Sequence, residues 1–106
     1  MRRVALTDNS GSWFDEEKAN VFKEDTYHDG QNWISKATGS QWEHEVIYVT
    51  KECRFILNHY SNFQGSRETY ELISKREAAE WFAKQSFDDD EIPEVFHFEV
   101  EKLEIK

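Results

Sequence analysis

Cysteine and proline each occur once, at Cys53 and Pro93, and glycine only four times. A lone cysteine excludes an internal disulfide, so the fold must be held by its own apolar core. No apolar run approaches the length of a membrane span, and the first ten residues lack the apolar stretch of a secretion signal. The chain therefore reads as cytoplasmic, in a reducing compartment. Basic residues are also scarce: 13 against 22 acids give a net charge of −9. That balance repels nucleic-acid phosphate and anionic membranes and attracts cationic surfaces. Direct nucleic-acid binding and membrane association are disfavoured accordingly. No phosphate-binding loop, metal cassette or nucleophile motif occurs, and no cofactor is expected.

What is present is the material of one small domain of 106 residues. Hydrophobic residues make up 38%, yet aromatics alone reach 15%, and large rings bury enough area for a few of them to carry a core. The charge is unevenly placed. Residues 13–45 carry eight acids and three bases, residues 86–106 eight acids and two bases, and residues 46–87 five acids and six bases. Acidic flanks thus enclose a nearly neutral centre. They serve either as a solubilising surface or as an acidic face for a basic partner.

Residues 3–7 alternate like a half-buried strand, and residues 8–11 read as a turn. Asp15 is placed to cap a short helical turn reaching Ala19. Val21 and Phe22 suggest an extended piece to about Tyr27. Residues 27–41 have loop composition, with Gly30, Gly39, Asp29 and Asn32, so no regular element is expected there and Trp33 and Ile34 are read as buried anchors. Three β-branched and aromatic segments follow, at 45–50, 54–60 and 68–74, whose short connections favour an antiparallel meander. The first connection, Lys51-Glu52-Cys53, lacks the glycine that such a loop usually takes in its left-handed position.

Ser74 followed by Glu77 forms a capping box, flanked by Ile73 and Ala78 as a hydrophobic staple. The helix it opens carries Ala78, Trp81, Phe82 and Gln85 on one face, which is core and not a site. Beyond it, Asp88 to Glu91 form either a solvated loop or a helix N-terminus with Pro93 in the first turn. Residues 96–100 alternate like a strand, but residues 94–102 also favour helix, with Val95, Phe98 and Lys102 at helical spacing. Helix is the preferred reading.

Asp29-Gly30-x-Asn32-x-Ile34-Ser35, then Thr38-Gly39-Ser40-Gln41-Trp42-Glu43-His44-Glu45, Gln64-Gly65-Ser66, Glu68-Thr69-Tyr70-Glu71 and Glu77-Ala78-Ala79-x-Trp81 resemble a small bacterial family of uncharacterised proteins. The resemblance covers roughly half to two-thirds of the chain. It implies a small bacterial domain and transfers no activity, cofactor or catalytic residue. It also implies glycine at the turn that Cys53 or its neighbour occupies here, a departure confined to a loop.

Four kinds of site can be weighed. A metal could draw on His28, His44, His59, His97 and Cys53 with Asp29, Glu43 and Glu45, but none has the close paired spacing of a zinc site. Acid–base chemistry could draw on Glu43-His44-Glu45, although in a strand the two glutamates point one way and the histidine the other. Ser40 and Ser61 have nothing marking a nucleophile's elbow. Stacking of bases on Trp33, Trp42, Tyr60 and Phe63 lacks a basic groove beside it. A protein-interaction surface could use Gln41, Trp42, Glu43, His44, Glu45, Asn62, Phe63 and Gln64, or those rings could instead close the ends of the core.

The expectation is a single α+β domain, with an antiparallel sheet of three to five strands packed by a helix near residues 74–85. Functionally it is a non-enzymatic acidic interaction module, such as an inhibitor or antitoxin-like protein masking a basic, nucleic-acid-binding surface of a partner. Its acidic patches are Asp15, Glu16 and Glu17, and Asp88, Asp89, Asp90 and Glu91. The competing class is a small enzyme or metal-dependent protein centred on Glu43, His44 and Glu45. A second copy of the chain closing a bare sheet face is a further expectation.

Overall fold

A computed structural model describes residues 1–62, 65–85, 87–88 and 90–106. The expectations placed on Phe63, Gln64 and Asp89 lie outside these residues. In chain order the strands are β1 (Arg3–Ala5), β2 (Trp13–Asp15), β3 (Asn20–Lys23), β4 (Thr26–His28), β5 (Trp33–Ser35), β6 (Glu43–Val49), β7 (Phe55–Ser61) and β8 (Thr69–Ile73). Helix α1 (Lys75–Ala83) follows, then a 3₁₀ turn (Glu94–Phe96) running into α2 (His97–Glu101). The architecture is α+β. One antiparallel sheet has the order β3-β6-β7-β8, and β1-β2 and β4-β5 form separate antiparallel hairpins.

Strand alternation divides the sheet's apolar residues between two faces. Ile47, Val49 and Phe55 pack against Ala78, Ala79, Trp81 and Phe82 of α1, joined by Ile92 and Phe96. The α1 capping box forms as the sequence predicts, with Ser74 Oγ accepting from the Glu77 amide and Glu77 accepting from the Ser74 amide. On the opposite face Val46, Tyr48 and Ile56 form a second core with Phe14 of β2. The sheet face turned away from the helix is thus partly covered by the chain's own N-terminal hairpin.

Two local expectations are corrected. Residues 27–41 contain a hairpin, because Asp29 and Gly30 make a tight turn: Gly30 has φ +104° and the Asp29 carboxylate accepts from the amides of Gln31 and Asn32. Neighbours on a strand face opposite ways, so Ile34 is buried while Trp33 is 65% exposed and stands edge-on to His28. At the C-terminus the helical reading holds, but the buried side chain is Phe96. Its ring lies 4.9 Å from both Phe55 and Phe82, whereas Phe98 is exposed beneath Lys102.

Candidate functional site

The β6-β7 hairpin brings most of the expected interaction residues to its open end. The register pairs Glu43 with Ser61, His44 with Tyr60 and Glu45 with His59. Paired residues share a face, so His44 lies opposite Glu43 and Glu45, as an extended strand requires. Glu45 Oε2 is 3.2 Å from His59 Nδ1 and Glu43 Oε1 is 3.6 Å from His59 Nε2. The two glutamates therefore serve His59. His44 instead meets Glu24, which follows β3, at 2.8 Å through Nδ1. Its Nε2 lies 3.1 Å from Asn62 Nδ2, and its ring is stacked obliquely on Tyr60.

Trp42 and Asn62 extend the ladder one step past the paired strands, the Asn62 amide donating to the Trp42 carbonyl at 2.9 Å. The loop before β6 is fixed from within: Thr38 Oγ1 donates to the Glu43 carbonyl, and Ser40 Oγ accepts from the amides of Trp42 and Glu43. A backbone fixed in this way presents a Trp42 side chain that is 43% exposed, followed in the chain by the half-exposed Glu43. Gln41 is partly buried next to them.

The two acidic patches differ in kind. Asp15 caps the 3₁₀ turn Glu16–Lys18, its Oδ1 accepting from the amides of Glu17 and Arg2. Burial pulls this carboxyl up, but those amides, the N-terminal ammonium and Lys18 outweigh it and hold it below the usual range. Glu16 meets Arg2 at 3.1 Å and Glu17 meets the N-terminal ammonium at 2.9 Å. This patch is tied into the N-terminal segment. Asp88, Asp90 and Glu91, by contrast, are all exposed, with carboxylate oxygens within 4.8 Å of one another. Among the described residues no basic group pairs with them.

Sequence reasoning missed Glu24, and it named His59 only as a possible metal ligand, without its glutamate partners. Their roles depend on which strands become neighbours, and spacing along the chain carries no sign of that. A third feature also went unread: Tyr70 donates to Glu68 at 2.9 Å, and burial together with that carboxylate pushes its phenol well above the usual value.

No family model, no curated protein and no solved structure matches the chain. No helix among the described residues is long and apolar enough to cross a membrane.

Proposed function

We propose that the chain is a non-enzymatic, cytoplasmic acidic interaction module whose working surface is the open end of the β6-β7 hairpin. The observation that carries this reading is the exposed Trp42, held by a loop hydrogen-bonded from within, with the half-exposed Glu43 next to it in sequence. An aromatic ring on a fixed backbone is the kind of anchor that dominates interfaces, and its face attracts a lysine or arginine. The net charge of −9 and the exposed Asp88, Asp90 and Glu91 cluster steer a cationic surface toward it. The partner class is a protein with a basic, nucleic-acid-binding surface that these carboxylates mask.

The test is capture of basic proteins from a lysate of the source cells, followed by titration of the purified partner. Trp42→Ala and Glu43→Gln should each weaken the complex about tenfold, or ~1.4 kcal/mol. A short nucleic acid should compete for the partner, and added salt should weaken binding. A partner that binds these variants as tightly as the parent chain refutes the reading.

The Glu24–His44 contact favours a second reading, a small enzyme or metal-dependent protein. A carboxylate holding one imidazole nitrogen is the usual support for a base or metal ligand at the other, although here that nitrogen faces Asn62 Nδ2 at 3.1 Å and would have to exchange it. It draws on Glu24 and His44, with Glu43 and Glu45 engaged at His59. Metal analysis of the purified protein, together with the tolerance of His44→Ala in whatever process the partner serves, decides it.

A further inference from the structure

At the other end of the same hairpin lies a hollow of about 560 Å³, between β1-β2 and the turn joining β6 to β7. Its apolar lining includes Leu6, Phe14, Ile56 and Leu72, so it is an unfilled edge of the second core. Trp13 and Leu72, 49% and 41% exposed, keep apolar surface open to solvent there. The short hairpin β1-β2 has only three residues per strand and cannot cover the whole of that sheet face.

The charged groups lining it are Lys18, Lys51 and Arg54, with Asp15 and Glu52. Asp15 Oδ1 accepts from two amides, while its buried Oδ2 has no hydrogen-bond partner and stands 3.9 Å from Lys18. Among the described residues the side chains of Lys51 and Arg54 have no acidic partner. The hollow thus has a cationic excess in a chain of net charge −9. Apolar walls with a few charged groups at the mouth, in a volume of roughly 300–1,000 Å³, are the features of a small-molecule site.

We propose that this hollow binds an amphiphilic anion, a medium-chain carboxylate whose tail lies on Phe14, Ile56 and Leu72 and whose head meets Lys51 and Arg54. The tail removes Trp13 and Leu72 from water, and the head meets Lys51 and Arg54, neither of which makes an ion pair among the described residues although Glu52 also lines the hollow. A neutral chain gains only the first contribution. A quaternary ammonium of the same length meets repulsion.

The site is independent of the Trp42 surface. Seven-residue strands at about 3.3 Å per residue put roughly 20 Å between the two ends of the hairpin. The experiment is calorimetric titration of the full chain with sodium decanoate, with decanol and decyltrimethylammonium as controls. Saturable one-to-one binding of decanoate, at least tenfold tighter than either control, is expected. Lys51→Glu with Arg54→Glu should weaken decanoate at least tenfold while leaving the thermal transition unchanged, since both side chains are exposed. Trp42→Ala should leave decanoate binding as it is. Absence of saturable binding, equal affinity for decanol, or indifference to the charge reversal overturns the proposal. A double variant that fails to fold is replaced by Lys51→Gln with Arg54→Gln, for which the same weakening is required.

Discussion

Glu24 joins His44 to the neighbouring backbone: one carboxylate oxygen lies 2.8 Å from His44 Nδ1, and the other accepts from the Glu45 amide at 2.6 Å. The last ladder pair of β3 with β6 is Lys23 with Val46, so the Glu24 side chain takes up an amide just where the backbone ladder ends. The side chain is only 8% exposed, so both bonds are made largely out of water.

Removing that carboxylate should leave a half-buried imidazole and a strand amide without partners. Glu24→Ala is expected to cost about 2–3 kcal/mol in urea unfolding, because orphaned polar groups lose their full solvation. Glu24→Gln should cost less, since its amide oxygen can still accept one of the two bonds. A loss below about 0.5 kcal/mol for the alanine variant would show that the bridge does not stabilise the sheet.

The β6-β7 turn carries a different kind of strain. Cys53 sits at φ +59°, its amide donating to the Thr50 carbonyl, while the Thr50 amide donates to the Arg54 carbonyl. That left-handed conformation costs a residue with a Cβ roughly 1 kcal/mol. Cys53→Gly should therefore raise stability by about 0.5–1 kcal/mol, less whatever glycine gains in unfolded-chain entropy. Cys53→Val should lower it, because a branched side chain tolerates that region worst. Chemical unfolding midpoints of the two variants, compared with the parent, decide the sign.

The same turn shows what was legible in the chain. A three-residue connection between two β-branched runs implies a left-handed position, and Cys53 occupies it. The box at Ser74 and Glu77 and the cap at Asp15 were equally legible, because each is a local bond between residues at fixed spacing. Asp29-Gly30 carried a hairpin signal of the same kind, masked by loop composition around it. The hydrogen-bond partners of His44 and His59 were not legible. Glu24 lies 20 residues from His44, and only the pairing of β3 with β6 brings them together. The opposition of His44 to Glu43 and Glu45, a consequence of strand alternation alone, was legible in advance.

The C-terminal segment is a structural part of the first core. Phe96 is fully buried between Phe55 and Phe82. Phe96→Ala is expected to cost about 3–5 kcal/mol, the usual loss for emptying a ring-sized space. Phe98→Ala, two residues on and 63% exposed, should change stability by less than about 0.5 kcal/mol. Equal losses at the two positions would mean that the 3₁₀ turn and α2 dock in another rotation.

Asp29 makes the β4-β5 hairpin sensitive to acid. Hydrogen bonds from the amides of Asn32 and Gln31 favour its charged form, outweigh the opposing effect of burial, and hold the carboxyl below its ordinary value of 3.8. A carboxyl depressed in the folded state contributes stability that is complete above 3.8 and is lost as pH falls through the folded value. The amide resonances of Gln31 and Asn32 should therefore titrate together with a midpoint below 3.8, and the hairpin should fray on the acid side of that midpoint. Asp29→Asn keeps an oxygen that accepts but has no proton to gain, so the same resonances should lose their acid transition. Asp29→Ala should fray the hairpin at every pH, because Gly30 supplies the turn's backbone geometry but nothing replaces the two bonds to the carboxylate. A midpoint at or above 3.8 in the parent chain would show that the amides do not favour the carboxylate, and that the turn is held by its backbone geometry and its other hydrogen bonds.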